Sequence, residues 1–119
     1  MSSSADGRLI AIAHGPVLSV FDVRTRELVG RRRWPGWMVK DVSFAPDGSF
    51  VAGYGFGEAN VIAMALAPDL PVIHRTPAPK SVRRIAVLAD GSILRSTHRF
   101  GVWHHDRATG EDAQVLVQS

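Results

Sequence analysis

The feature that most constrains this chain is an Asp-Gly dipeptide that occurs three times. Asp6-Gly7, Asp47-Gly48 and Asp90-Gly91 are separated by 41 and then 43 residues. Asp-Gly between apolar runs signals a tight turn, because glycine takes the positive φ such turns require without a steric penalty. Each copy opens a short apolar segment: Arg8-Leu9-Ile10-Ala11-Ile12, Ser49-Phe50-Val51-Ala52 and Ser92-Ile93-Leu94. The middle copy is the most complete. Val42-Ser43-Phe44 alternates ahead of the turn and Phe50-Val51-Ala52 follows it, so the stretch from Val42 to Tyr54 reads as an antiparallel hairpin.

Two further markers keep the same step. Val20-Phe21-Asp22, Val61-Ile62-Ala63 and Val102-Trp103-His104 recur every 41 residues, and Val42-Ser43-Phe44-Ala45 returns 43 residues on as Ile85-Ala86-Val87-Leu88. Within a unit the order is strand, Asp-Gly turn, strand, Gly-bearing loop, strand, turn, strand. The Gly-bearing loops are His14-Gly15-Pro16, Gly53-Tyr54-Gly55-Phe56-Gly57 and His98-Arg99-Phe100-Gly101. Third strands are expected at 17–23, 60–64 and 101–104. The fourth strands, at 28–33, 72–74 and 114–117, are more polar, as suits an outer edge. No stretch sustains a helical period. VIAMALA at 61–67 would suit a buried helical turn in isolation, but its register with Val20 and Val102 makes it a strand. The predicted architecture is all-β: one domain of three antiparallel four-stranded units, at about 4–38, 39–79 and 80–119. The first unit is expected to be incomplete, because Met1-Ser2-Ser3 stands where Val42-Ser43-Phe44 stands in the second and offers no usable inner strand.

These residues resemble the WD-repeat β-propeller family, whose unit is a four-stranded blade of roughly 40–45 residues. FAPDGSFVA is similar to its inner hairpin, and VFDVRTREL and VWHHDRATGE to its third strand and following turn. The resemblance covers nearly the whole chain and implies a partial propeller of degenerate, bacterial type. The family's Trp-Asp pair stands here as Phe21-Asp22, Ile62-Ala63 and Trp103-His104, and only the first keeps the acid. No Gly-His pair precedes the inner strands. The hydrogen-bond network that these residues form in strict members is therefore not expected. Closed propellers need roughly 4–8 blades. Three units imply completion of the ring by a second copy, by a partner chain or by the rest of a longer parent chain.

Composition narrows the remaining classes. At 119 residues, with 45% hydrophobic and 21% charged side chains, the chain has ordinary globular proportions. It has no cysteine, which removes disulfides and thiolate metal sites. Its opening residues lack the basic-then-apolar order of a signal peptide. The longest purely apolar run, at 61–67, is too short to cross a bilayer. A soluble, cytoplasmic protein without a membrane partner is expected. The formal charge of +3 is mainly arginine, with a run at Arg31-Arg32-Arg33 and a pair at Arg83-Arg84. Arginine beside Trp34 could grip phosphates. Strand alternation sets Arg32 opposite its neighbours, however, and charge on an outer strand blocks edge pairing. Nucleic acid is the weaker reading.

Catalytic and metal chemistry find little support. His104-His105-Asp106 is the one tight group among five histidines, but neighbouring side chains on a strand face opposite ways, so the two rings cannot easily share an ion. No nucleophile sits in a Gly-x-Ser-x-Gly elbow. The glycines at 53–57 precede a strand rather than a helix, which suits a hairpin loop and not a phosphate cradle. His14, Glu58 and His98 occupy corresponding loops but are too mixed for a shared chemistry. No metal, cofactor or catalytic residue is assigned. The alternative, a small-ligand-binding or hydrolytic bacterial propeller working through its central channel, would need convergent acids and bases at those loops.

The loop aromatics carry the functional expectation. Trp34 and Trp37 bracket Pro35-Gly36 between an outer strand and the next inner strand. Tyr54 and Phe56 lie in the loop after a second strand, and His98 and Arg99 in its repeat equivalent. Aromatic rings with an adjacent arginine are favoured at interface hot spots. A non-catalytic protein–protein interaction module is therefore expected, with Trp34, Trp37, Tyr54, Phe56, His98 and Arg99 as its partner-binding surface. Exchange of Trp37 and Phe56 together for alanine is expected to weaken partner capture while leaving the circular dichroism spectrum unchanged. Undiminished capture would place the surface elsewhere.

Overall fold

The computed structural model describes residues 2–34, 38–55, 60–77, 82–97, 101–106 and 108–116. These contain twelve strands and no helix. They are β1 (Ser2–Ser3), β2 (Leu9–His14), β3 (Val17–Asp22), β4 (Glu27–Arg33), β5 (Val39–Phe44), β6 (Phe50–Gly55), β7 (Asn60–Ala65), β8 (Val72–Pro77), β9 (Val82–Val87), β10 (Ile93–Thr97), β11 (Gly101–His105) and β12 (Asp112–Leu116). They form three four-stranded antiparallel sheets, β1–β4, β5–β8 and β9–β12, each a meander in chain order. We call them sheets 1, 2 and 3.

The first unit is not missing its inner strand. Ser2 and Ser3 pair with Ala11 and Ile10 as a two-residue β1. Serine is no strong strand former, but ladder pairing uses backbone groups that every non-proline residue carries. The Asp-Gly turn that follows then holds β1 in place.

That turn is built alike in all three sheets. Gly7, Gly48 and Gly91 have φ of 73°, 76° and 85°, and their amides donate to the carbonyls of Ser4, Ala45 and Leu88. The aspartate Oδ1 then closes the turn. In sheet 2 it accepts from the Ser49 amide at 2.9 Å and the Ser49 hydroxyl at 2.6 Å, and in sheet 3 from the amide of Ser92 at 2.9 Å. Asp6 accepts instead from the Ser4 hydroxyl and the Arg8 amide. These bonds favour the ionised carboxyl, and all three aspartates are held below the usual carboxylate range with the serine hydroxyl as the leading cause.

Sheet 2 is buried on both faces. All of β6 is buried, as are Val61–Met64 of β7. Its alternation serves two cores at once. Val42, Phe44, Val51, Ile62 and Met64 pack against Ala11, Leu18 and Val20 of sheet 1. Phe50, Ala52, Tyr54, Val61 and Ala63 pack against Val82, Ile85, Val87 and Ile93 of sheet 3. A strand covered on both faces has no polar side to show, which is why VIAMALA lacks visible alternation.

Polar groups of β5 tie the sheets together at their inner strands. Asp41 Oδ2 accepts from the Ile85 amide at 2.9 Å, and Ser43 Oγ from the Val87 amide at 3.3 Å, both on the open edge of β9. The Val39 amide in turn donates to the Gly15 carbonyl of sheet 1 at 3.0 Å. Edge amides that would otherwise stay unpaired beside a neighbouring sheet are thereby satisfied.

The outer strand of sheet 1 is locked by the β7–β8 turn. Pro68 O accepts from the Arg31 amide at 3.0 Å, and the fully buried Leu70 fills the core beneath Gly30. A Cβ at Gly30 would overlap Ala67 O and lie 2.7 Å from Leu70 Cδ2. Backbone cannot yield as a flexible side-chain tip can. Gly30→Ala is expected to lower stability by about 1–3 kcal/mol through overpacking, read as an earlier midpoint in urea. An unchanged midpoint would show that the turn is free to move aside.

Candidate functional site

Of the sequence-predicted surface, only Trp34 and Tyr54 lie among the described residues, and they belong to different contacts between sheets. Trp37, Phe56, His98 and Arg99 lie outside the described residues. Trp34 is half-buried against the core between sheets 1 and 2, its amide donates to Pro16 O at 2.8 Å, and the Arg32 guanidinium lies 5.1 Å over its ring. Tyr54 is 8% exposed and belongs to the core between sheets 2 and 3. Its ring falls on the inward row of β6 with Phe50 and Ala52, so strand alternation turns it away from a partner. Val39 pairs with Gly55 and bonds to Gly15 O, which sets the ends of the 34–38 and 55–60 connections beside the Gly15 turn at one end of the stack.

The arginine run divides as alternation requires. Arg31 Nε donates to Ser19 Oγ at 3.1 Å on the outward face of sheet 1, whereas Arg32 turns inward, with Nη1 donating to Leu70 O at 3.4 Å. The adjacent histidines divide too. His104 Nε2 meets Ser92 Oγ at 2.9 Å, and His105 reaches His74 of sheet 2.

The main polar constellation lies between the outer halves of sheets 2 and 3. On β10 the inward row is Ile93, Arg95 and Thr97, which puts a guanidinium 4% exposed in a core position. Arg95 donates through Nη1 and Nη2 to Asp112 Oδ1 and Oδ2 of β12, at 2.7 and 2.6 Å, a bidentate pair. Its guanidinium also sits 5.6 Å over the Trp103 ring of β11. These bonds, with burial working against them, hold the Asp112 carboxyl below its usual range. His105, 4% exposed, has Nδ1 at 3.6 Å from Asp112 Oδ1 and Nε2 at 3.1 Å from His74 Nε2 on β8. Three buried polar atoms in this region have no hydrogen-bond partner among the described residues: Thr76 Oγ1, Trp103 Nε1 and His105 Nδ1.

At the turn end of sheets 1 and 2, a cleft of about 440 Å³ separates their Asp-Gly turns, lined by Asp6, Arg8, Leu9, Asp22, Asp47 and Leu66 among others. Arg8 Nε donates to Asp22 Oδ2 at 2.9 Å, and the amides of Arg24 and Thr25 donate to Asp22 Oδ1. Burial of Asp22 disfavours its charge, but these bonds outweigh it and its carboxyl lies below the usual range. The same turn recurs in sheet 3, where Asp106 Oδ1 accepts from the amides of Ala108 and Thr109. Asp106, not His104, is thus the counterpart of Asp22. It keeps the 84-residue step of the outermost Asp-Gly turns. Among the described residues no group of three or more His, Asp or Glu side chains is disposed to hold a metal ion.

The Arg95–Asp112 pair escapes sequence reading because its partners are 17 residues apart on non-adjacent strands. One signal was available: an arginine in an otherwise inward-facing row must have a partner.

Together these features define an all-β class of chain, a stack of four-stranded antiparallel sheets joined at their inner strands. No family model matches the sequence, and no curated protein matches it. Among solved structures the fold is similar to a chain of Kuenenia stuttgartiensis hydrazine synthase, with a TM-score of 0.75 and 16% sequence identity. The match covers 95% of this chain and 33% of that one, so this chain spans about a third of the other's length. At that identity the likeness is one of fold. No helix among the described residues is long and apolar enough to cross a membrane.

The pair at Arg95 predicts an asymmetry. Asp112→Asn leaves a buried guanidinium without its counter-charge, whereas Arg95→Met leaves a carboxylate that is 35% exposed and can take up water. Asp112→Asn is expected to cost more, up to about 3 kcal/mol given that partial exposure. Because Asp112 is depressed in the folded state, its contribution is present above the ordinary carboxylate range and is lost as pH falls through its lowered value. The gap in urea midpoint between wild type and Asp112→Asn should therefore be full at pH 6 and shrink below about pH 4. A gap that does not change with pH would remove the charge from the explanation.

Proposed function

We propose that this chain is a non-catalytic interaction module made of WD-repeat-like propeller blades, which completes a ring with further blades from a second copy or a partner chain. The observation that carries this reading is the outward face of sheet 1. Ile10 pairs with Phe21, and Phe21 with Leu28, on the face away from sheet 2. Ile12 on the same row is 37% exposed and Leu28 is 47% exposed. Ile10 and Phe21 stand in the repeat where Val51 and Ile62 stand in sheet 2, and those two are fully buried by sheet 1. A face with the pattern of a covered one calls for another sheet on top of it.

Sheet 3 offers the other end of such a contact. Leu94 and Val102 lie on its outward rows with Ser96 and His104, half-buried and more polar. A head-to-tail contact joins two different faces and closes a ring when the rotation per blade permits. The match to a third of a longer chain also supports reading three sheets as part of a larger assembly.

Light scattering at micromolar concentration is expected to give a mass above that of one chain, or a stoichiometric complex once a partner is supplied. Ile12→Glu with Leu28→Glu should return the mass to a single chain while the β spectrum is kept. A cooperatively folded wild-type monomer that takes up no partner would overturn the proposal.

A further inference from the structure

We propose that His74 and His105 form a two-histidine site for a late first-row divalent cation such as Zn²⁺, bridging sheets 2 and 3. Their Nε2 atoms face each other at 3.1 Å, with ring centroids 5.3 Å apart and planes inclined by 39°. At zinc–nitrogen distances of roughly 2.0–2.1 Å, that separation subtends about 100° at an ion held between the rings, close to the tetrahedral value. The nitrogen separation is thus that of two ligands on one ion, and a modest tilt of each nearly head-on ring brings both lone pairs onto it. Imidazole nitrogen is the donor that suits zinc, copper and nickel.

The surroundings support the assignment in two independent ways. Behind His105, Asp112 Oδ1 stands 3.6 Å from Nδ1, and Asp112 is itself fixed by two bonds from Arg95. The Asp112 charge on the far side of the His105 ring, too distant for a hydrogen bond, favours the ring proton on the rear nitrogen and so leaves the forward lone pair for the metal. The orphaned polar atoms lie on the same strand faces. Thr76 is two residues beyond His74 on β8, and Trp103 is two before His105 on β11, and their Oγ1 and Nε1 are buried without partners among the described residues. Native interiors seldom leave such atoms unpaired, and a bound ion with its water shell is one of the usual reasons.

Two protein ligands leave two positions of a tetrahedral ion to water or to an exchangeable ligand, so binding is weaker and more labile than at a four-ligand structural site. The bond would join β8 of one sheet to β11 of the next, and metal bound only by the folded chain raises stability by mass action. The competing account is a plain hydrogen bond between the two imidazoles, which uses the same two nitrogens.

Titration of the full chain with ZnCl₂ at pH 7.5, followed through histidine ring resonances and the thermal midpoint, separates the two accounts. Of the five histidines, His74 and His105 should respond first, and the midpoint should climb with zinc concentration. His74→Gln, at the half-buried position, should weaken zinc binding by roughly tenfold or more, since even an outer-shell partner costs that much. His104→Gln should not weaken it. Circular dichroism confirms that each variant is folded. If all five rings respond together, or if His74→Gln binds zinc as the wild type does, the pair is only a hydrogen bond and the site is withdrawn.

Discussion

The structure depends on the burial of sheet 2 between its two neighbours. Its strands contribute side chains alternately to two cores, so one row of β6 and β7 holds sheet 1 while the next holds sheet 3. Both cores are mostly aliphatic, and full burial of each Val, Leu, Ile, Phe or Met among them contributes about 1.5–3 kcal/mol. Neither outer sheet has a second covered face among the described residues. Loss of packing at β6 or β7 would therefore loosen both contacts together, which makes the middle sheet the cooperative centre of the chain.

Polar chemistry is placed where the apolar contact cannot act. The three Asp-Gly turns tie off hairpin ends with carboxylate bonds to amide and hydroxyl, and Asp41 and Ser43 of β5 satisfy the edge amides of β9. An open edge beside another sheet invites slippage or false pairing. Side-chain acceptors at fixed positions leave one register, because the carboxylate of Asp41 reaches one amide and the hydroxyl of Ser43 reaches another two residues on.

The two contacts between sheets differ in character. Between sheets 1 and 2 the outer half is closed by the buried Leu70 and the close approach of Ala67 to Gly30. Between sheets 2 and 3 the outer half is polar, with Arg95, Asp112, His105 and His74 in one chain of contacts. A buried ion pair adds little net stability compared with apolar packing of equal volume. Here the pair sits beside unpaired buried polar atoms, so this contact holds less apolar packing than the one between sheets 1 and 2.

The chain alone determined the repeat. Asp-Gly turns in register with β-branched and aromatic runs leave few folds other than a series of four-stranded antiparallel units, because turn chemistry and strand period are local properties. Alternation also separated Arg32 from Arg31 and His104 from His105 before any contact was known. What the chain could not show was which side chains meet across sheets. Tyr54 reads as a loop aromatic, but the Gly53–Gly55 stretch remains in β6 and turns it into the core. Ser2-Ser3 has no strand propensity, yet its backbone pairs with β2 because the Asp6 turn delivers it there. His74 meets His105 across 31 residues, and Arg95 meets Asp112 across 17. The first is set by the stacking of sheet 2 on sheet 3 and the second by two non-adjacent strands of sheet 3 sharing one face, and neither has a signature in the local sequence.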